Sequence, residues 1–415
     1  MPEQSSPIEL LQGAEEYFPA LVRAIDAAQS TIYLESYLIH DDPATQTVLD
    51  ALGRARGRGV LVYLLLDGFG AADTADWISS WCHSHGISVE FYRPGVRWLA
   101  PKTWRRLHRK LVLIDDAVAF VGGINLIGDR SDHVHGELPQ ARFDFAARVT
   151  AYRVTAAVSR TMRRLWWRVS LRNALRGTFG RLLEADRRAA EIVRVREIWR
   201  RTRRHLRWRG PPVRKNASRR VRLLLRDNLR NRRRIEHWYL WRIMQSQREV
   251  LIANAYFVPT YRFRQVLIHA ARRGVRVRLL IQGTADQWWT MWATKALIDE
   301  LIDAGIEVYQ YMPSFLHAKV AVIDDAMTVG SSNMDPFSLI LSLEANLVAE
   351  DPLIAEQLRH RLERAINDSV VRSRSNQIHR GPLRAMLRRI ALTFALTALR
   401  IFIAFSGTRI RFFSH

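Results

Sequence analysis

The sequence predicts an α/β fold of two similar domains related by a pseudo-twofold axis. Three segments of the first half recur in the second: TIYLESYLI (31–39) as VLIANAYFV (250–258), GRGVLVYLLLDG (57–68) as RRGVRVRLLIQG (272–283), and HGISVEFYRP (85–94) as AGIEVYQYMP (304–313). In each half, apolar strand patterns alternate with helical segments, which is typical of α/β folds. A repeat whose period is about half the chain indicates an internal duplication.

The most informative repeat is a polar motif at the start of an apolar strand. LHRKLVLIDDAVAFVGGINL (107–126) corresponds to LHAKVAVIDDAMTVGSSNMD (316–335). Four polar positions recur: His108, Lys110, Asp115 and Asn125 in the first copy, and His317, Lys319, Asp324 and Asn333 in the second. The second copy is one residue shorter between aspartate and glycine, a difference that a hairpin loop accommodates.

Strand alternation places the polar side chains of this motif together. His317 and Lys319 project from one face, while Ala318 and Val320 face the other way. A lone histidine at a strand end, satisfied by a nearby carbonyl, would explain one copy of the motif. Two copies favour one shared site, because a domain interface is a usual place for a ligand pocket. Two histidines, two lysines and two asparagines converging there suit a phosphate group.

The duplication and the charge distribution divide the chain into four parts. We expect a first α/β domain at residues 1–155, a basic helical linker at 156–218, a second α/β domain at 219–370, and a basic and apolar tail at 371–415.

The doubled motif, HxK-x4-D followed by G-[GS]-x-N, resembles the phospholipase D superfamily. The resemblance covers nearly all of residues 8–350 apart from a basic insertion. Within the superfamily, the chain length and the second motif resemble bacterial cardiolipin synthases of the short B type. The resemblance implies two phospholipase D-like domains with the active site at their interface. Because other members cleave other phosphodiesters, including nucleic acids, the motif specifies the chemistry better than the substrate.

The resemblance implies distinct roles for the two histidines. We expect neutral His108 to attack phosphorus and form a covalent phosphohistidine, which splits one difficult displacement into two easier ones. We expect protonated His317 to donate to the leaving oxygen and then to deprotonate the incoming hydroxyl. The two-fold symmetry alone leaves these roles interchangeable, and the resemblance favours this order.

The lysines and asparagines of the motif would stabilise the phosphate. Lys110 and Lys319 would neutralise its non-bridging oxygens, and Asn125 and Asn333 would donate hydrogen bonds to them. We expect no metal and no other cofactor, since the sequence has no cysteine cluster and no carboxylate-rich ligand set.

Carboxylates are expected to hold the tautomers of the histidines. The family pattern suggests Glu344, in SLEANLV, as the partner of the second-motif histidine, and Asp144, in RFDFAARV, as the partner of the first. The motif also includes Asp115 and Asp324 in the catalytic set. Their position at strand ends favours a structural role over proton transfer.

The charge of the chain is concentrated in one region. The formal net charge is +24, and residues 187–234 hold 20 Lys or Arg against 3 Asp or Glu, a net of +17. Trp199, Trp208 and leucines are interleaved with these cations, after a helical pattern that contains Trp166 and Trp167. A solvated pair of basic helices, a nucleic-acid surface and a surface for anionic membranes would each explain this pattern.

Tryptophan placement favours the membrane. The insertion GVRWLAPKTWRR (95–106) and the segment QWWTMW (287–292) should lie near the cleft, although individual indoles could be core residues instead. The segment IALTFALTALRIFIAF (390–405) has 16 residues and contains Arg400, whereas a spanning helix needs ~20 apolar residues. We therefore expect an interfacial anchor in the tail, with a helix docked on the protein as the alternative.

Cysteine content and the N-terminus suggest an intracellular protein. The single cysteine, Cys82, excludes a disulfide framework and fits a reducing compartment. The start, MPEQSSPIELLQG, lacks the basic segment and apolar core of a signal peptide.

The resemblance implies a phosphatidyltransferase, and together with the charge and tryptophan patterns it predicts an enzyme bound peripherally to the cytoplasmic side of the cell membrane. The expected reaction converts two phosphatidylglycerols to cardiolipin and glycerol, with an anionic phospholipid membrane as partner and no obligate protein partner. The alternatives are a phospholipase or nuclease that uses water as the acceptor, and a nucleic-acid-binding protein with a vestigial site. The last is disfavoured because both motifs are intact.

Overall fold

The computed structural model of the chain describes residues 6–94, 105–132, 136–181, 220–227, 231–283, 298–335 and 342–372. Structural statements below concern these residues. The tryptophan-containing segments at 95–104 and 287–292, most of the basic region at 187–234 and the tail from residue 373 lie outside them.

The first half forms a seven-stranded sheet with four helices. Its main strands are β1 (Ile8–Gln12), β2 (Thr31–Ser36), β3 (Leu61–Asp67), β4 (Ser88–Tyr92), β6 (Lys110–Ile114), β7 (Val118–Gly122) and β10 (Phe145–Val149), with short strands β5 (Arg106–Leu107), β8 (Ser131–Asp132) and β9 (Gly136–Glu137). Its helices are α1 (Gly13–Asp26), α2 (Pro43–Gly57), α3 (Ala75–Ser84) and α4 (Tyr152–Arg181).

The second half repeats this plan. Its strands are β11 (Val221–Arg226), β12 (Glu249–Asn254), β13 (Arg276–Gln282), β14 (Glu307–Tyr311), β15 (Lys319–Ile323), β16 (Ala326–Gly330), β17 (Ser342–Glu350) and β18 (Ser369–Val371). Its helices are α5 (Arg234–Gln245), α6 (Tyr261–Arg272) and α7 (Pro352–Asn367), and residues 298–303 are also helical.

The two sheets have the same strand order. It is β1-β10-β7-β6-β2-β3-β4 in the first and β11-β17-β16-β15-β12-β13-β14 in the second, with β18 added at the edge. In both, three parallel strands adjoin an antiparallel set, because β2 and β12 each pair with a parallel and an antiparallel neighbour. The predicted duplicated α/β fold is confirmed.

Turn chemistry shows how similar the halves are. Gly59 and Gly274 have φ values of 92° and 88° at equivalent turns before β3 and β13, a conformation that glycine adopts at little cost. The hairpin β6–β7 has a three-residue loop, and the hairpin β15–β16 has a two-residue loop. The one-residue difference between the motif copies therefore lies in the hairpin, as expected.

The sequence alignment of residues 31–39 with residues 250–258 was wrong by one residue. Ile32 pairs with Ile114 in the first sheet, and Val250 pairs with Ile323 in the second. Because Ile114 and Ile323 are equivalent motif positions, Ile32 is the counterpart of Val250, whereas the sequence alignment had matched Thr31 to Val250. Short apolar strands accept either match, and hydrogen-bond register decides between them.

The inner faces of the two sheets share one hydrophobic core. This core joins Leu111 and Val121 of the first half to Val320 and Leu347 of the second, and it includes residues of α4 and α7. Each sheet has one further core, which lies between its outer face and the helices that cover it. The active-site strands are thus fixed by apolar burial on both faces.

Helix α4 runs across the expected boundary at residue 155. Trp166 and Trp167 are buried in the shared core, and the Tyr63 ring lies 5.2 Å from the ring of Trp166. These two indoles are core residues, as the alternative interpretation allowed. Within the described part of the chain, no helix combines the length and apolar character that crossing a bilayer requires.

Candidate active site

Both motif histidines precede a central strand, and each lies beside the other half of the molecule. The His108 N–H donates to the carbonyl of Leu343 at 3.1 Å, and the His317 N–H donates to the carbonyl of Phe143 at 2.9 Å. The segment before His108, β5, runs parallel to β17 of the other half. The chain before each histidine is therefore anchored across the interface.

Each histidine also contacts a carboxylate of the opposite half. His108 Nδ1 lies 3.1 Å from Glu344 Oε1, and His317 Nδ1 lies 2.6 Å from Asp144 Oδ2. The sequence analysis paired them the other way, Glu344 with His317 and Asp144 with His108, and that pairing is wrong. The physical reason is the cross-interface anchoring: Leu343 and Phe143, which hold the histidine backbones, immediately precede the two carboxylates.

The two lysines are buried between these pairs. Lys110 Nζ donates to the carbonyl of His108 at 2.8 Å, and Lys319 Nζ donates to that of His317. Burial lowers the pKa of Lys110 to about 7 and that of Lys319 to about 8, although both feel the charges of Glu344 and Asp144. The shared electrostatic interactions show that both motifs belong to one site.

The surroundings of the two histidines favour their neutral forms. Burial, followed by the charge of Lys110, lowers the pKa of His108, and burial with Lys319 and Arg142 lowers the pKa of His317. An anion bound among these groups would favour their charged forms. The site is therefore electrostatically suited to a negatively charged ligand.

These pKa directions lead to a testable prediction about proton uptake. When dimethyl phosphate, an anion that does not titrate near neutrality, binds at pH above about 7, the protein should take up protons, because the charge of the anion raises the lowered pKa values of Lys110 and Lys319. Its affinity should fall as pH rises from about 7 to about 9, by at most about tenfold per pH unit for each proton taken up. Calorimetry in buffers of different ionisation enthalpy measures the uptake. Binding without uptake and with constant affinity across this window would contradict the prediction.

The motif asparagines lie at the ends of the hairpins that begin with the histidine strands. Asn125 Oδ1 accepts a hydrogen bond from the Leu38 N–H at 3.3 Å. Asn333 is nearly buried, and its Oδ1 has no hydrogen-bond partner among the described residues. That Asn125 and Asn333 donate hydrogen bonds to the phosphate remains a prediction.

Asp115 and Asp324 lie at the opposite ends of the histidine strands. At ~3.3 Å per residue, each is about 16 Å along the strand from its lysine. Asp115 accepts hydrogen bonds from the backbone of residues 29–31, and Asp324 does the same for residues 247–249. Their inclusion in the catalytic set is not supported, because the carboxylates are engaged in joining strands. The structural role favoured from sequence is the one observed.

The sequence analysis missed two residues that position the histidines. Asp67 Oδ2 accepts from the Leu107 N–H, and Gln282 Oε1 accepts from the Leu316 N–H, both at 2.6 Å. Each acceptor ends the strand of its repeat, in LLLDG and LLIQG, and each donor immediately precedes a motif histidine. The polar residue before the repeated glycine was the available signal.

The two carboxylates have different surroundings. Ser331 Oγ donates to Glu344 Oε2 at 2.5 Å, whereas the equivalent residue in the first half is Gly123, where an added Cβ would lie 2.3 Å from Asp144 Oδ1. His108, Lys110 and Ser331 lower the pKa of Glu344 despite its burial, whereas burial raises the pKa of Asp144 to about 6. The two-fold symmetry is therefore broken at the carboxylates.

A buried arginine reinforces this asymmetry. Arg226 pairs in register with Glu344 across β11 and β17, so their side chains are neighbours on one face. Its two Nη atoms have no hydrogen-bond partner within the described ranges, and burial lowers its pKa to about 10. The equivalent position beside Asp144 is Gly13, whose N–H donates to the Asp144 carbonyl. The charge of Arg226 thus supports Glu344, and the equivalent position beside Asp144 carries no charge.

Tyr37 lies against the first motif. Its ring centroid is 5.0 Å from that of His108, and Lys110 Nζ lies 5.5 Å from the Tyr37 ring. Burial raises the pKa of Tyr37 to about 12, so the phenol stays protonated. Tyr37 therefore forms an uncharged wall of the site.

No group of three or more His, Cys, Asp or Glu side chains in the described ranges is arranged to hold a metal ion. The candidate site consists of two histidines, two lysines, two asparagines and two carboxylates.

Comparison with known proteins identifies similar chains. The family described as "Cardiolipin synthase, PLD-like domain" matches residues 21–166 and 239–366. Cardiolipin synthase B of Salmonella typhimurium is 35% identical over 371 residues, covering 87% of this chain and 80% of that protein. Cardiolipin synthase B of Escherichia coli K12 is 36% identical over 370 residues, covering 86% and 80%.

A solved structure extends the comparison to the fold. The phosphatidylserine synthase of Haemophilus influenzae superposes with a TM-score of 0.65 at 17% sequence identity, covering 95% of each chain. At this identity the match supports the fold alone.

Proposed function

Because this chain belongs to the cardiolipin synthase family with phospholipase D-like domains, we propose that it converts two phosphatidylglycerols to cardiolipin and glycerol. The chain is an enzyme of the phospholipase D superfamily. The proposed reaction transfers a phosphatidyl group from one lipid to a hydroxyl of another.

The observation that carries the proposal is the pair of cross-interface contacts, His108 with Glu344 and His317 with Asp144. Each carboxylate accepts from Nδ1 and so directs the Nε2 atom of its histidine toward substrate. Two such histidines in one buried, lysine-containing site supply a nucleophile and an acid for one phosphodiester.

In the first step, His108 Nε2 attacks the phosphorus of the donor lipid. The bond from phosphorus to the glycerol oxygen breaks, and His317 Nε2 gives its proton to that oxygen. The donor phosphate raises the pKa of His317 to make the required imidazolium available. The products of this step are free glycerol, a phosphatidyl group on His108 and a neutral His317.

In the second step, a glycerol hydroxyl of the second phosphatidylglycerol loses its proton to His317. Its oxygen attacks phosphorus, and the bond to His108 breaks, which releases cardiolipin and restores both histidines. Lys110 and Lys319 offset the charge on the non-bridging oxygens in both steps, with Asn125 and Asn333 as additional donors.

We further propose that the enzyme works as a peripheral protein on the cytoplasmic side of the membrane. Its formal net charge of +24 suits an anionic lipid surface, where each nearby Lys or Arg contributes ~1 kcal/mol. Phosphatidylglycerol would then be both a substrate and a component of that surface.

A product assay tests the proposed function. Purified protein is incubated with vesicles of radiolabelled phosphatidylglycerol, and the lipid and water-soluble products are separated. Cardiolipin and glycerol in equal amounts support the proposal. Phosphatidic acid as the main lipid product would indicate hydrolysis, and no lipid product with cleavage of added DNA would indicate a nuclease.

We also predict that activity does not require a divalent metal ion. Lysines and asparagines supply the charge stabilisation in the proposed mechanism, so turnover should persist after dialysis against EDTA. The rate is measured on phosphatidylglycerol vesicles before and after chelation. Loss of activity that one divalent ion specifically restores would refute this site description.

A further inference from the structure

Four arginines gather on the first-half side of the active site, apart from the motif lysines. Arg93 follows β4, Arg105 and Arg106 lead directly to His108, and Arg172 lies on α4. Burial lowers the pKa of the Arg93 guanidinium, and the nearby charges of Arg172, Arg105 and Arg106 lower it further. The arrangement is a cluster of like charges.

Arg93 is the most unusual member of the cluster. Its backbone is left-handed, with φ of 52°, and its Cζ lies 5.3 Å from the Tyr92 ring centroid. Its Nε and Nη1 atoms are buried and have no hydrogen-bond partner within the ranges that the structure describes. Buried guanidinium groups without acceptors cost free energy. An anion at this point would supply the missing acceptor.

Arg106 connects the cluster to the catalytic groups. Its Nη1 lies 3.4 Å from Asp67 Oδ1, and the same carboxylate anchors the N–H of Leu107, next to His108. The charge of Arg106 also acts on Tyr37, whose ring is 5.0 Å from that of His108. The cluster therefore adjoins the reaction site.

An exposed aromatic side chain lies beside the cluster. The Arg106 Cζ lies 5.4 Å from the ring centroid of Phe69, and Phe69 is 55% exposed. Cations next to an exposed aromatic ring are typical of surfaces that bind the lipid headgroup region.

The internal duplication provides a control for this cluster. Gly68 donates to the carbonyl of Tyr92 as Gly283 does to that of Tyr311, so Arg93 corresponds to Met312. Arg105 and Arg106, counted back from the motif leucines, correspond to Ser314 and Phe315. The second half forms the same fold with no arginine at these three positions, so neither the fold nor the two-fold phosphate site requires Arg93, Arg105 or Arg106.

We propose that Arg93, Arg105, Arg106 and Arg172 bind the phosphate of a second anionic phospholipid, beside the lipid whose phosphodiester lies between the two histidines, while Phe69 enters the lipid layer. This inference rests on the proposed function in taking the ligand to be a phospholipid. Arginine is well suited to the task, because its planar guanidinium matches phosphate oxygens bidentately. The site would hold the protein with its cleft against the bilayer.

The test compares two double variants of equal charge. Arg93→Gln with Arg105→Gln removes two cluster charges, and Arg23→Gln with Arg54→Gln removes two exposed charges on helices α1 and α2. Co-sedimentation with phosphatidylglycerol vesicles and with phosphatidylcholine vesicles measures binding. The lipid concentration for half-maximal turnover is measured separately from the maximal rate, and thermal melting checks folding.

The cluster variant should bind phosphatidylglycerol vesicles roughly tenfold to thirtyfold more weakly than the control variant. It should need correspondingly more lipid for half-maximal turnover, with a smaller effect on the maximal rate. Phe69→Ser should weaken the binding that persists at ~1 M salt, where charge attraction is screened.

Three results would overturn the inference: vesicle binding equal to that of the control, a loss confined to the maximal rate, or weaker binding of DNA with vesicle binding intact. The outcome is independent of the product assay. If the unaltered protein makes no cardiolipin but the two variants still differ in vesicle binding, the proposed reaction fails and the lipid-phosphate site stands.

Discussion

Replacing either motif histidine by alanine should lower turnover on phosphatidylglycerol vesicles by at least about 10⁴-fold. Without His108 there is no group to carry the phosphatidyl intermediate, and without His317 the alkoxide leaving group has no proton donor. Both rings are part-buried at the site, with side chains 18% and 24% exposed, so their removal should leave the fold intact. Initial rates of cardiolipin formation measure the effect.

His360→Ala is the matched control, because that side chain is 69% exposed on α7, where its Nε2 lies 3.0 Å from Glu356 Oε1. It should retain full activity. If His108→Ala or His317→Ala kept more than about 1% of the rate, the two-histidine mechanism would be wrong.

Glu344→Gln and Asp144→Asn should each lower turnover by roughly 10²- to 10⁴-fold, because an amide no longer fixes the tautomer of the adjacent imidazole. The structure predicts which histidine each substitution disturbs. Glu344→Gln should shift the imidazole ¹⁵N resonances of His108, and Asp144→Asn should shift those of His317. Long-range ¹H–¹⁵N spectra of histidine-labelled protein report both.

Asp26→Asn is the control for this second experiment, since its carboxylate pairs with Arg54 at the surface, remote from the site. It should leave the histidine resonances and the rate unchanged. The opposite pattern, with Glu344→Gln disturbing His317, would restore the pairing first expected from the sequence.

The sequence was sufficient for the fold and for the convergence of the motifs. The repeated segments that lead to His108 and His317 have similar residues at similar spacings along the chain. Because the two halves are copies, a pattern recognised in one half predicts the structure of the other. Which carboxylate contacts which histidine could not be predicted from the sequence, because it depends on how the two halves pack against each other. Glu344 follows the motif of His317 in the chain, yet the backbone contact between Leu343 and His108 brings it to the other histidine.

The same reason explains the residues that were missed. Asp67 and Gln282 differ in type and lie well before their motifs in the chain, so their common role appears only when the strand ends meet. Arg226 is a single arginine in a basic stretch of sequence. Only the register of β11 with β17 distinguishes it as a neighbour of Glu344.

The unequal carboxylates give a physical reason to distinguish the histidines. Glu344 has the hydroxyl of Ser331 and the charge of Arg226 beside it, whereas Asp144 has glycine at both equivalent positions. A carboxylate held ionised behind His108 would stabilise the positive charge that develops on its ring during attack. This supports the proposal that His108 is the nucleophile.

The most direct test of this account is to trap the covalent intermediate. His317→Ala protein is mixed with a phosphatidyl ester of p-nitrophenol, whose leaving group needs no proton donor, and the modified peptide is located by mass spectrometry. We predict a burst of about one equivalent of p-nitrophenol per protein and a phosphatidyl group on His108, because the missing base prevents its transfer to an acceptor. His108→Ala protein treated in the same way should give no burst. A burst from His108→Ala protein with the phosphatidyl group on His317 would contradict the account.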